Sequence, residues 1–427
     1  MTGLATRFRS FDRPVRLLAI NQFTINIGFY MLMPYLAAHL SLGLGLAGWL
    51  VGLILGVRNF SQQGMFLLGG ALADRFGYKP LIVAGCALRT AGFALLGLVD
   101  SVPALVIASA ATGFAGALFN PAVRAYVAAD AGERRVEAFA LFNVFYQAGI
   151  LLGPLIGLLL TGVAFQLTCL VAAVVFAVLT VLQIRSLPDR RSAEPAGVPV
   201  SLRSGWSAAV RNRRFLAFAA VMIGSYVLSF QVYLAFPLET RRLASSETAG
   251  TIEVGILFAV SGAIAILGQL RITDWCRARW SHGHCITAGL TLMALAFTVP
   301  LLTVSSTPVT DAFSVAGLLA FLPLVLSVAL LTLGTVIVFP FEMDTIVSLA
   351  QDRLVATHYG LYNTICGIGI AIGNLGTGAA LDLARSSGVA WVPWTALALI
   401  GAACALGVFL LGRTGRLEPA KPVTTAN

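Results

Sequence analysis

Charged residues are scarce in this sequence. They make up 11% of its 427 residues, whereas a typical soluble domain carries about 25%. Acidic residues are the scarcest, with 18 Asp and Glu against 28 Lys and Arg, and hydrophobic residues make up 58% of the chain. The mean hydropathy is +0.89. So little charge excludes an ordinary soluble globular protein, whose surface needs more of it.

The sequence also lacks paired cysteines, clear metal-ligand clusters and nucleotide-binding loops. Its six cysteines stand far apart, at positions 86, 169, 276, 285, 366 and 404, which disfavours disulfides and a zinc site. The segment His282–Cys285 reads HGHC, but its ligands are bunched at the start of a predicted span, and we expect no metal. The absence of a Gly-Lys-Ser/Thr loop argues against ATP as the energy source. We find no nucleophile–base pair that would indicate an enzyme.

Long apolar runs, in contrast, recur along the whole chain. A helix of about 20 apolar residues can cross a bilayer, so the sequence predicts an all-α membrane protein with twelve transmembrane helices. The predicted spans lie at about 15–41, 46–72, 81–99, 103–129, 138–161, 163–184, 215–238, 250–271, 286–304, 314–345, 358–384 and 391–412.

The net charge of +10 follows from how the basic residues are distributed. With the N-terminus in the cytoplasm, nearly all Lys and Arg of the loops lie on the cytoplasmic side, leaving Arg241, Arg242 and Arg385 outside. Positive residues accumulate on the cytoplasmic side of membrane proteins. We therefore expect a multi-pass protein of the bacterial inner membrane with both termini in the cytoplasm. The basic charge indicates this topology and not a nucleic-acid partner.

A polar stretch separates the first six predicted spans from the last six. It is rich in Pro, Gly, Ser and Arg, and it predicts a cytoplasmic linker with a short helix around Trp206. The predicted domains are an N-terminal six-helix bundle at 1–184, the linker at 185–214, a C-terminal six-helix bundle at 215–412 and a cytoplasmic tail at 413–427.

The two halves repeat each other weakly. Residues 140–155 align with residues 360–375, with identical residues that include Gly149/Gly369 and Gly153/Gly373. Two similar rigid bodies on a loose tether can expose a central site alternately to the two sides of a membrane. The organisation is therefore typical of a secondary transporter.

The segment GGALADRFGYKPLI, residues 69–82, lies between the second and third predicted spans. It resembles the signature loop of the major facilitator superfamily, Gly-x-Leu-Ala-Asp-Arg-x-Gly-Arg-Lys, with Tyr78 where an arginine is usual. The resemblance implies the major facilitator fold, with two pseudo-symmetric six-helix bundles. Asp74 can accept hydrogen bonds at a helix N-terminus, and Arg75 can pair with an acid such as Asp130. We expect a conformational latch formed by Gly70, Asp74, Arg75, Gly77, Lys79 and Asp130.

The segment GILLGPLIG, residues 149–157, resembles the antiporter motif of drug exporters in that superfamily. Gly149, Gly153 and Gly157 are spaced by four residues, so they share one helix face where a neighbouring helix can approach closely. Pro154 frees a backbone carbonyl and bends the span. Tight packing without a role in export is the alternative. Further segments similar to MdtH-type multidrug-resistance proteins are residues 57–64, 69–93, 117–125 and 213–237.

A charge at the membrane midplane costs at least ~2.5 kcal/mol, which makes each one a functional candidate. For Arg58, Arg89 and Arg124 two hypotheses stay open: hydrogen bonding to helix carbonyls, or an electropositive cavity wall for anionic or zwitterionic substrates. Glu342 and Asp344 are the proton-coupling candidates. One could face the cavity while the other reaches the cytoplasmic surface, and a gate ion pair with an arginine such as Arg124 is the alternative.

Polar and aromatic residues complete the candidate substrate cavity, which the resemblance locates in spans that commonly line it. Packing or helix-to-helix hydrogen bonding is the alternative for each of them. Asn21 stands where similar exporters can carry an acid, and an asparagine cannot titrate. The cavity candidates are Asn21, Tyr30, Arg58, Gln62, Arg89, Arg124, Gln147, Tyr226, Gln231, Tyr233, Tyr362 and Asn363.

The residues and the resemblance together predict a secondary active transporter that works by alternating access. The favoured activity is proton-coupled efflux of small amphiphilic organic compounds, antibiotics among them. The alternative is a narrow exporter of one metabolite, such as an antibiotic or a siderophore, without necessary proton coupling. We expect no cofactor, and we expect the proton gradient to drive transport. The expected partners are a small-molecule substrate and the lipid bilayer, with no nucleic acid. We expect the protein to function as a monomer.

Overall fold

The computed structural model describes residues 4–32, 36, 39–46, 48–161, 164–189, 202–302 and 315–417. These ranges are helical almost throughout and contain no strand. The chain divides into two compact units. The first consists of Met1–Asn212 and Ala350–Thr364, and the second of Arg213–Leu349 and Ile365–Asn427.

Short turns separate the helices of the first unit. A π-helical turn covers His39–Gly43, and a 3₁₀ turn covers Gly132–Arg134. The helices are α1 (Leu4–Ser10), α2 (Arg13–Tyr30), α3 (Gly48–Gln63), α4 (Phe66–Phe76), α5 (Tyr78–Leu98), α6 (Val102–Ala131), α7 (Arg135–Thr161), α8 (Phe165–Ser186) and α9 (Leu202–Arg211).

Two 3₁₀ turns, Gln231–Tyr233 and Val299–Leu302, interrupt the second unit. One long helix, Val355–Ser387, begins within the first unit and continues into the second. The helices are α10 (Arg213–Phe230), α11 (Ala235–Leu243), α12 (Glu247–Arg279), α13 (His282–Ala296), α14 (Val315–Leu349), α15 (Val355–Ser387) and α16 (Val392–Arg413).

Helices occupy all twelve predicted spans. Nine stretches of the described residues are long and apolar enough to cross a membrane, and one of them, Val102–Gly157, contains both α6 and α7. The first two predicted spans are not among the nine, because α2 contains two arginines and several amide side chains and is not apolar enough, and because the second span is split into α3 and α4. The seventh predicted span is likewise broken, by the Gln231–Tyr233 turn.

Small residues let the helices of the first unit pack closely. Lipid tails give helices no hydrophobic reason to associate, so tight packing and hydrogen bonds must hold them together. Gly28 of α2 lies against the Phe176 ring of α8, which stacks on Phe93 of α5 at a centroid distance of 5.3 Å. A Cβ added at Gly113 of α6 would collide with the carbonyl oxygen of Arg58 in α3.

The second unit is held by the same means. Gly289 of α13 and Gly334 of α14 meet backbone to backbone, since a Cβ on either would lie within 2.8 Å of the other's carbonyl oxygen. The buried Gln269 of α12 donates from Nε2 to the Val336 carbonyl oxygen at 2.8 Å. Phe236 packs on Trp394 at 5.8 Å between ring centroids.

The start of α15 differs from the predicted domain division. We assigned residues 215–412 to the C-terminal bundle, but Ala350–Thr364 belongs to the first unit. Two contacts explain this: Thr357 is hydrogen bonded to Asp74 of α4, and the Tyr359 ring meets Phe139 of α7 edge to face at 6.3 Å. The predicted helix around Trp206 is present as α9, whereas linker residues 190–201 and tail residues 418–427 lie outside the described ranges.

Candidate functional site

The predicted latch is built around Asp74 at the end of α4. Its buried carboxylate accepts hydrogen bonds from the backbone N–H of Ala356 at 3.3 Å and of Thr357 at 2.6 Å, and from the Thr357 hydroxyl at 2.6 Å. These donors lie in the first turn of α15, where backbone N–H groups have no partner within the helix. A carboxylate at this position is also favoured by the helix dipole.

Glycines allow α4 and α15 to meet at this point. A Cβ added at Gly70 would collide with the Ala356 carbonyl oxygen, and one at Gly360 would collide with the Phe66 carbonyl oxygen. Gly77, between α4 and α5, has a φ of +94°, which residues with a side chain rarely adopt. Both motif glycines are therefore required by the local geometry.

The charged residues of the motif are arranged differently from the prediction. Arg75 is exposed, and its guanidinium carbon lies 5.2 Å from the centre of the Phe76 ring. Among the ion pairs of the described residues there is no Arg75–Asp130 pair. Lys79 lies 3.7 Å from the exposed Asp189.

Burial dominates the protonation of Asp74. Removal from water raises the pKa of its carboxyl to about 6 from 3.8, although the hydrogen bonds from Thr357, Ala356 and Tyr78 each lower it. Desolvation penalises the charged form, and hydrogen bonds to the carboxylate favour it. The Asp74 carboxyl therefore releases its proton near pH 6 and not near the ordinary 3.8.

The three glycines of the antiporter motif form one face of α7 against α2. A Cβ at Gly149 would lie 2.5 Å from the Phe23 carbonyl oxygen, one at Gly153 would lie 2.7 Å from Cβ of Tyr30, and one at Gly157 would collide with the Met31 carbonyl oxygen. The close helix approach that the four-residue spacing predicts is thus present. Pro154 stands inside α7, which continues to Thr161.

The repeated segment packs in the same way within the second unit. Gly369 and Gly373 of α15 lie against the side chains of Ile223 and Val227 in α10. Asn374, which replaces the proline, accepts a hydrogen bond from Gln231 Nε2 at 3.3 Å. The glycine spacing is therefore shared architecture, whereas the proline is peculiar to the first half.

Arg58 and Arg89 surround the same aromatic ring. The guanidinium carbon of Arg58 lies 4.5 Å from the centre of the Phe29 ring, and that of Arg89 lies 6.0 Å from it. Arg58 donates to Asn59 Oδ1 at 2.9 Å and to Gln62 Oε1 at 3.2 Å. Helix carbonyls, the alternative we considered, accept from neither arginine within the described ranges.

Arg89 is enclosed by phenylalanines. Besides Phe29, its guanidinium carbon is 5.5 Å from the Phe119 ring centre and 5.4 Å from that of Phe176. The side chain is 4% exposed, and its buried Nε and Nη1 atoms have no hydrogen-bond partner among the described residues. Cation–π contacts of this kind contribute about 0.5–2 kcal/mol each.

Polar residues of α2 and α7, among them the candidates Asn21, Tyr30 and Gln147, are hydrogen bonded or at least half-buried. Gln22 Nε2 donates to Asn26 Oδ1, which belongs to the same helix, and Asn26 Nδ2 donates to the Tyr146 carbonyl oxygen at 2.8 Å. The Tyr30 and Tyr146 side chains are hydrogen bonded. Asn21 is fully buried, and neither polar atom of its side chain has a partner within the described ranges. Gln147 is half-buried.

Arg124 and Asn363, predicted separately, are in direct contact. Arg124 Nη1 donates to Asn363 Oδ1 at 2.9 Å, and Asn363 Nδ2 donates to the Tyr359 carbonyl oxygen at 2.7 Å. Tyr362, beside Asn363, is fully buried. The structure thus brings α6 and the start of α15 together through a polar bridge.

The two acids of α14 have different surroundings. Glu342 is 3% exposed, whereas the Asp344 carboxylate lies 3.0 Å from His282 Nε2. Asp344 and His282 line a pocket of about 360 Å³ at the start of α13, together with His284 and Arg413. The described residues contain no group of three potential metal ligands.

The remaining aromatic and amide candidates lie in the second unit. Gln231 is fully buried and donates from Nε2 to the Val227 carbonyl oxygen at 2.8 Å. Tyr226 is half-buried. Tyr233 is 51% exposed, with its ring packed against Phe230 and Phe258.

Sequence reasoning missed two sets of residues. Phe29, Phe119 and Phe176 come from three helices, and no spacing in the sequence indicates that they surround one arginine. Thr357 was detectable in principle, because it stands directly before the predicted span at 358–384, and threonine is a common residue at helix starts.

Two helical units, intramembrane arginines and acids within apolar helices, and a carboxylate bound at a helix start define a multi-pass membrane transporter. Residues 18–374 match the family described as the Major Facilitator Superfamily. The chain belongs to the major facilitator superfamily, and it is a transporter and not an enzyme.

Individual relatives are similar over most of the chain. An uncharacterized MFS-type transporter of Mycobacterium tuberculosis (strain ATCC 25618 / H37Rv) is 53% identical over 406 residues, which cover 95% of each chain. The multidrug resistance protein MdtH of Escherichia coli (strain K12 / DH10B) is 30% identical over 385 residues, which cover 90% of each chain. The fold matches the fucose:proton symporter FucP of E. coli with a TM-score of 0.72 at 13% identity, over 93% of this chain and 98% of that one.

Proposed function

We propose that this transporter exports small amphiphilic organic compounds, antibiotics among them, in exchange for protons. The observation that carries the proposal is the likeness to the multidrug resistance protein MdtH over nine-tenths of both chains. The glycine and proline motif of α7, which resembles that of drug exporters, supports the direction of transport. We further propose that the protein works as a monomer in a bacterial inner membrane with both termini in the cytoplasm.

Glu342 is the better candidate for proton coupling. It is buried within an apolar helix, where an acid is rare and commonly belongs to a proton pathway. The Asp344 carboxylate, two residues on, lies 3.0 Å from His282 Nε2 beside a pocket. We therefore assign proton exchange to Glu342 and a structural role to Asp344.

Accumulation of dyes and antibiotics in an exporter-deleted host tests the function. The wild-type protein is expected to lower accumulation, and a protonophore is expected to abolish this effect. Accumulation that stays unchanged over a broad panel of compounds would contradict multidrug export and favour the narrow exporter.

Proton coupling is tested in everted membrane vesicles by following the pH change that substrate addition causes. Glu342→Gln is expected to abolish the pH change, and Asp344→Asn is expected to keep it. Glu239→Gln is a matched control, because Glu239 is also a buried acid of the second unit but is paired with Arg242 at 2.6 Å. Full proton exchange by the Glu342→Gln protein would rule out the assignment.

A narrow exporter of one metabolite is the second candidate function. The enclosed guanidinium of Arg89 favours it, because a buried charge without a hydrogen-bond partner discriminates strongly between ligands. Such a protein would protect its host from one compound only.

A further inference from the structure

Arg89 presents an unused set of hydrogen-bond donors. A guanidinium carries five N–H groups in one plane and cannot lose its charge in a protein. The buried Nε and Nη1 atoms of Arg89 find no acceptor among the described residues, and the rings of three phenylalanines surround its guanidinium group. Buried donors left in this way are rare in native proteins and call for an explanation.

A second cation lies close to the first. Arg58 sits on the Phe29 ring that Arg89 also approaches, and its Nε atom is buried without a partner within the described ranges. Both guanidinium carbons lie within about 6 Å of the centre of the Phe29 ring, so two like charges share one apolar surface. Two like charges held together without an acid are stabilised when an anion lies between or beside them.

The surrounding residues pack closely around Arg89 and are largely apolar. Gly116 of α6 faces Arg89, since a Cβ there would lie 3.3 Å from Nη2 of Arg89 and 3.2 Å from Cδ of Gln62. The ion pairs found in the described part of the chain include neither Arg58 nor Arg89. The ligand that fits therefore has an acceptor group for the guanidinium and an apolar body for the rings.

We propose that Arg89 and Arg58 bind the carboxylate of an organic anion whose body is apolar. A carboxylate accepts two parallel N–H bonds from one guanidinium, which matches the unused donors of Arg89. The half-buried ring of Phe29, which both guanidinium groups approach, provides the apolar surface for the body of the ligand, while the fully buried rings of Phe119 and Phe176 enclose Arg89. The inference rests on the proposed export function and narrows its substrates to compounds that carry a carboxylate.

Binding to the purified full-length protein in phosphatidylcholine nanodiscs tests the site by calorimetry. The probes are 1-naphthoate, 1-naphthamide and 1-naphthylmethylammonium, which share a ring system and differ in charge. The wild-type protein is expected to bind the carboxylate at least about tenfold more tightly than the amide, because hydrogen bonds to a charged group are the stronger kind. Equal affinity for all three probes would overturn the proposal.

Variants of Arg89 locate the preference. Arg89→Met is expected to abolish it, and Arg89→Lys, which keeps the charge but not the planar fork, is expected to reduce it several-fold. Arg134→Gln is a matched control, because Arg134 also lies on a phenylalanine ring, 4.1 Å from the centre of Phe11, but is hydrogen bonded to Glu137. A tenfold preference that survives in both Arg89 variants would contradict the assignment.

Stability without ligand separates a binding role from a structural one. If Arg89 serves a ligand, the ligand-free Arg89→Met protein melts at the same temperature as the wild type or higher, because relief of the cost of burying a charge without an acceptor offsets the loss of its cation–π contacts. A melting temperature that falls by several degrees would show that Arg89 is structural and would overturn the proposal. Wild-type protein is expected to melt higher in the presence of 1-naphthoate.

Three further outcomes separate this inference from its alternatives. The protein could export neutral and cationic dyes in a protonophore-sensitive way and yet show no preference for the carboxylate probe in binding. That result would support the proposed function and reject the anion site. Binding of naphthoate without any export would keep the site and reject the function. Phosphatidylglycerol in the nanodisc tests whether the bound anion is a lipid phosphate. If this lipid abolishes naphthoate binding, and if it raises the melting temperature of the wild type but not of Arg89→Met, the organic-acid assignment is overturned.

Discussion

Asp74 Oδ2 accepts hydrogen bonds from both the backbone N–H and the hydroxyl of Thr357, each at 2.6 Å, across a separation of 283 residues in sequence. One carboxylate thus satisfies two donors in the first turn of α15 and fastens it to the end of α4. The contact explains why Ala350–Thr364 belongs to the first unit although α15 continues into the second.

Removal of the Asp74 carboxylate is expected to free the start of α15. Asp74→Ala leaves the donors of Ala356 and Thr357 unsatisfied, and the loss of hydrogen bonds to a charged group costs on the order of 3 kcal/mol. Hydrogen exchange of the amides in Val355–Thr364 should accelerate, while those of α13 should not change. Asp189→Asn serves as the control, since Asp189 is exposed and lies 3.7 Å from Lys79. Unchanged exchange in Asp74→Ala would mean that the contact does not hold the helix.

The stability of the protein is expected to depend on pH through Asp74. Its pKa is raised by burial from 3.8 to about 6, so the folded state favours the protonated carboxyl. The resulting stabilisation of the folded state is fully present below pH 3.8 and is lost as pH rises through about 6. Because the pKa shift is about two units, the free energy of unfolding should fall by about 3 kcal/mol across this window. The melting temperature of the wild type should therefore fall across this window relative to that of Asp74→Asn, which does not titrate.

Thr357→Val provides the complementary test of the same pH dependence. The Thr357 hydroxyl lowers the pKa of Asp74, so its removal should raise that pKa further and move the fall in melting temperature to higher pH. A window at the same pH in both proteins would contradict the assignment of the transition to Asp74.

The glycines of the two repeats are expected to differ in their tolerance of alanine. A Cβ at Gly157 would collide with the backbone of Met31, which cannot move without shifting α2, whereas a Cβ at Gly373 would meet only the Val227 side chain. Gly157→Ala should lower the stability by about 1–3 kcal/mol, and Gly373→Ala by clearly less. The comparison of their melting temperatures in the same detergent checks this. Equal losses would show that the backbone contact is not the deciding feature.

Pro154 is expected to matter for transport more than for stability. Proline inside a helix costs about 3 kcal/mol relative to alanine, so Pro154→Ala should fold at least as stably as the wild type. If the bend of α7 serves export, the same variant should export more slowly at equal expression, as measured by dye accumulation. Unaltered export would assign the proline no part in the transport cycle.

Much of the fold could be predicted from the sequence because its signals are local. Apolar runs of about 20 residues predict spans wherever they occur, and helices occupy all twelve predicted positions. The spacing of Gly149, Gly153 and Gly157 predicts a shared face, since a helix repeats every 3.6 residues. That α2 would lie on this face was beyond the sequence.

The candidate site was predictable only in part. The sequence indicated that Arg58 and Arg89 are unusual, because charges inside apolar spans are costly, but it could not tell a paired arginine from an unpaired one. Arg124 is hydrogen bonded to Asn363, whereas Arg89 has phenylalanine rings around it and buried donors without a partner in the described part of the chain. The Arg75–Asp130 pair is not formed in this structure, and as a contact of one conformational state it stays a prediction.

The sequence by itself determined the class of protein: composition, long apolar runs, the distribution of basic residues and the loop at 69–82 each depend on residues close together in the chain. The tertiary structure alone decided which polar groups have partners. Asp74 finds its donors 282 and 283 residues away, and Arg89 finds its rings on α2, α6 and α8. Inside a membrane no water is available to satisfy a polar group, so the neighbouring helices decide whether a charge is bridged, as at Arg124, or left for a ligand, as we propose for Arg89.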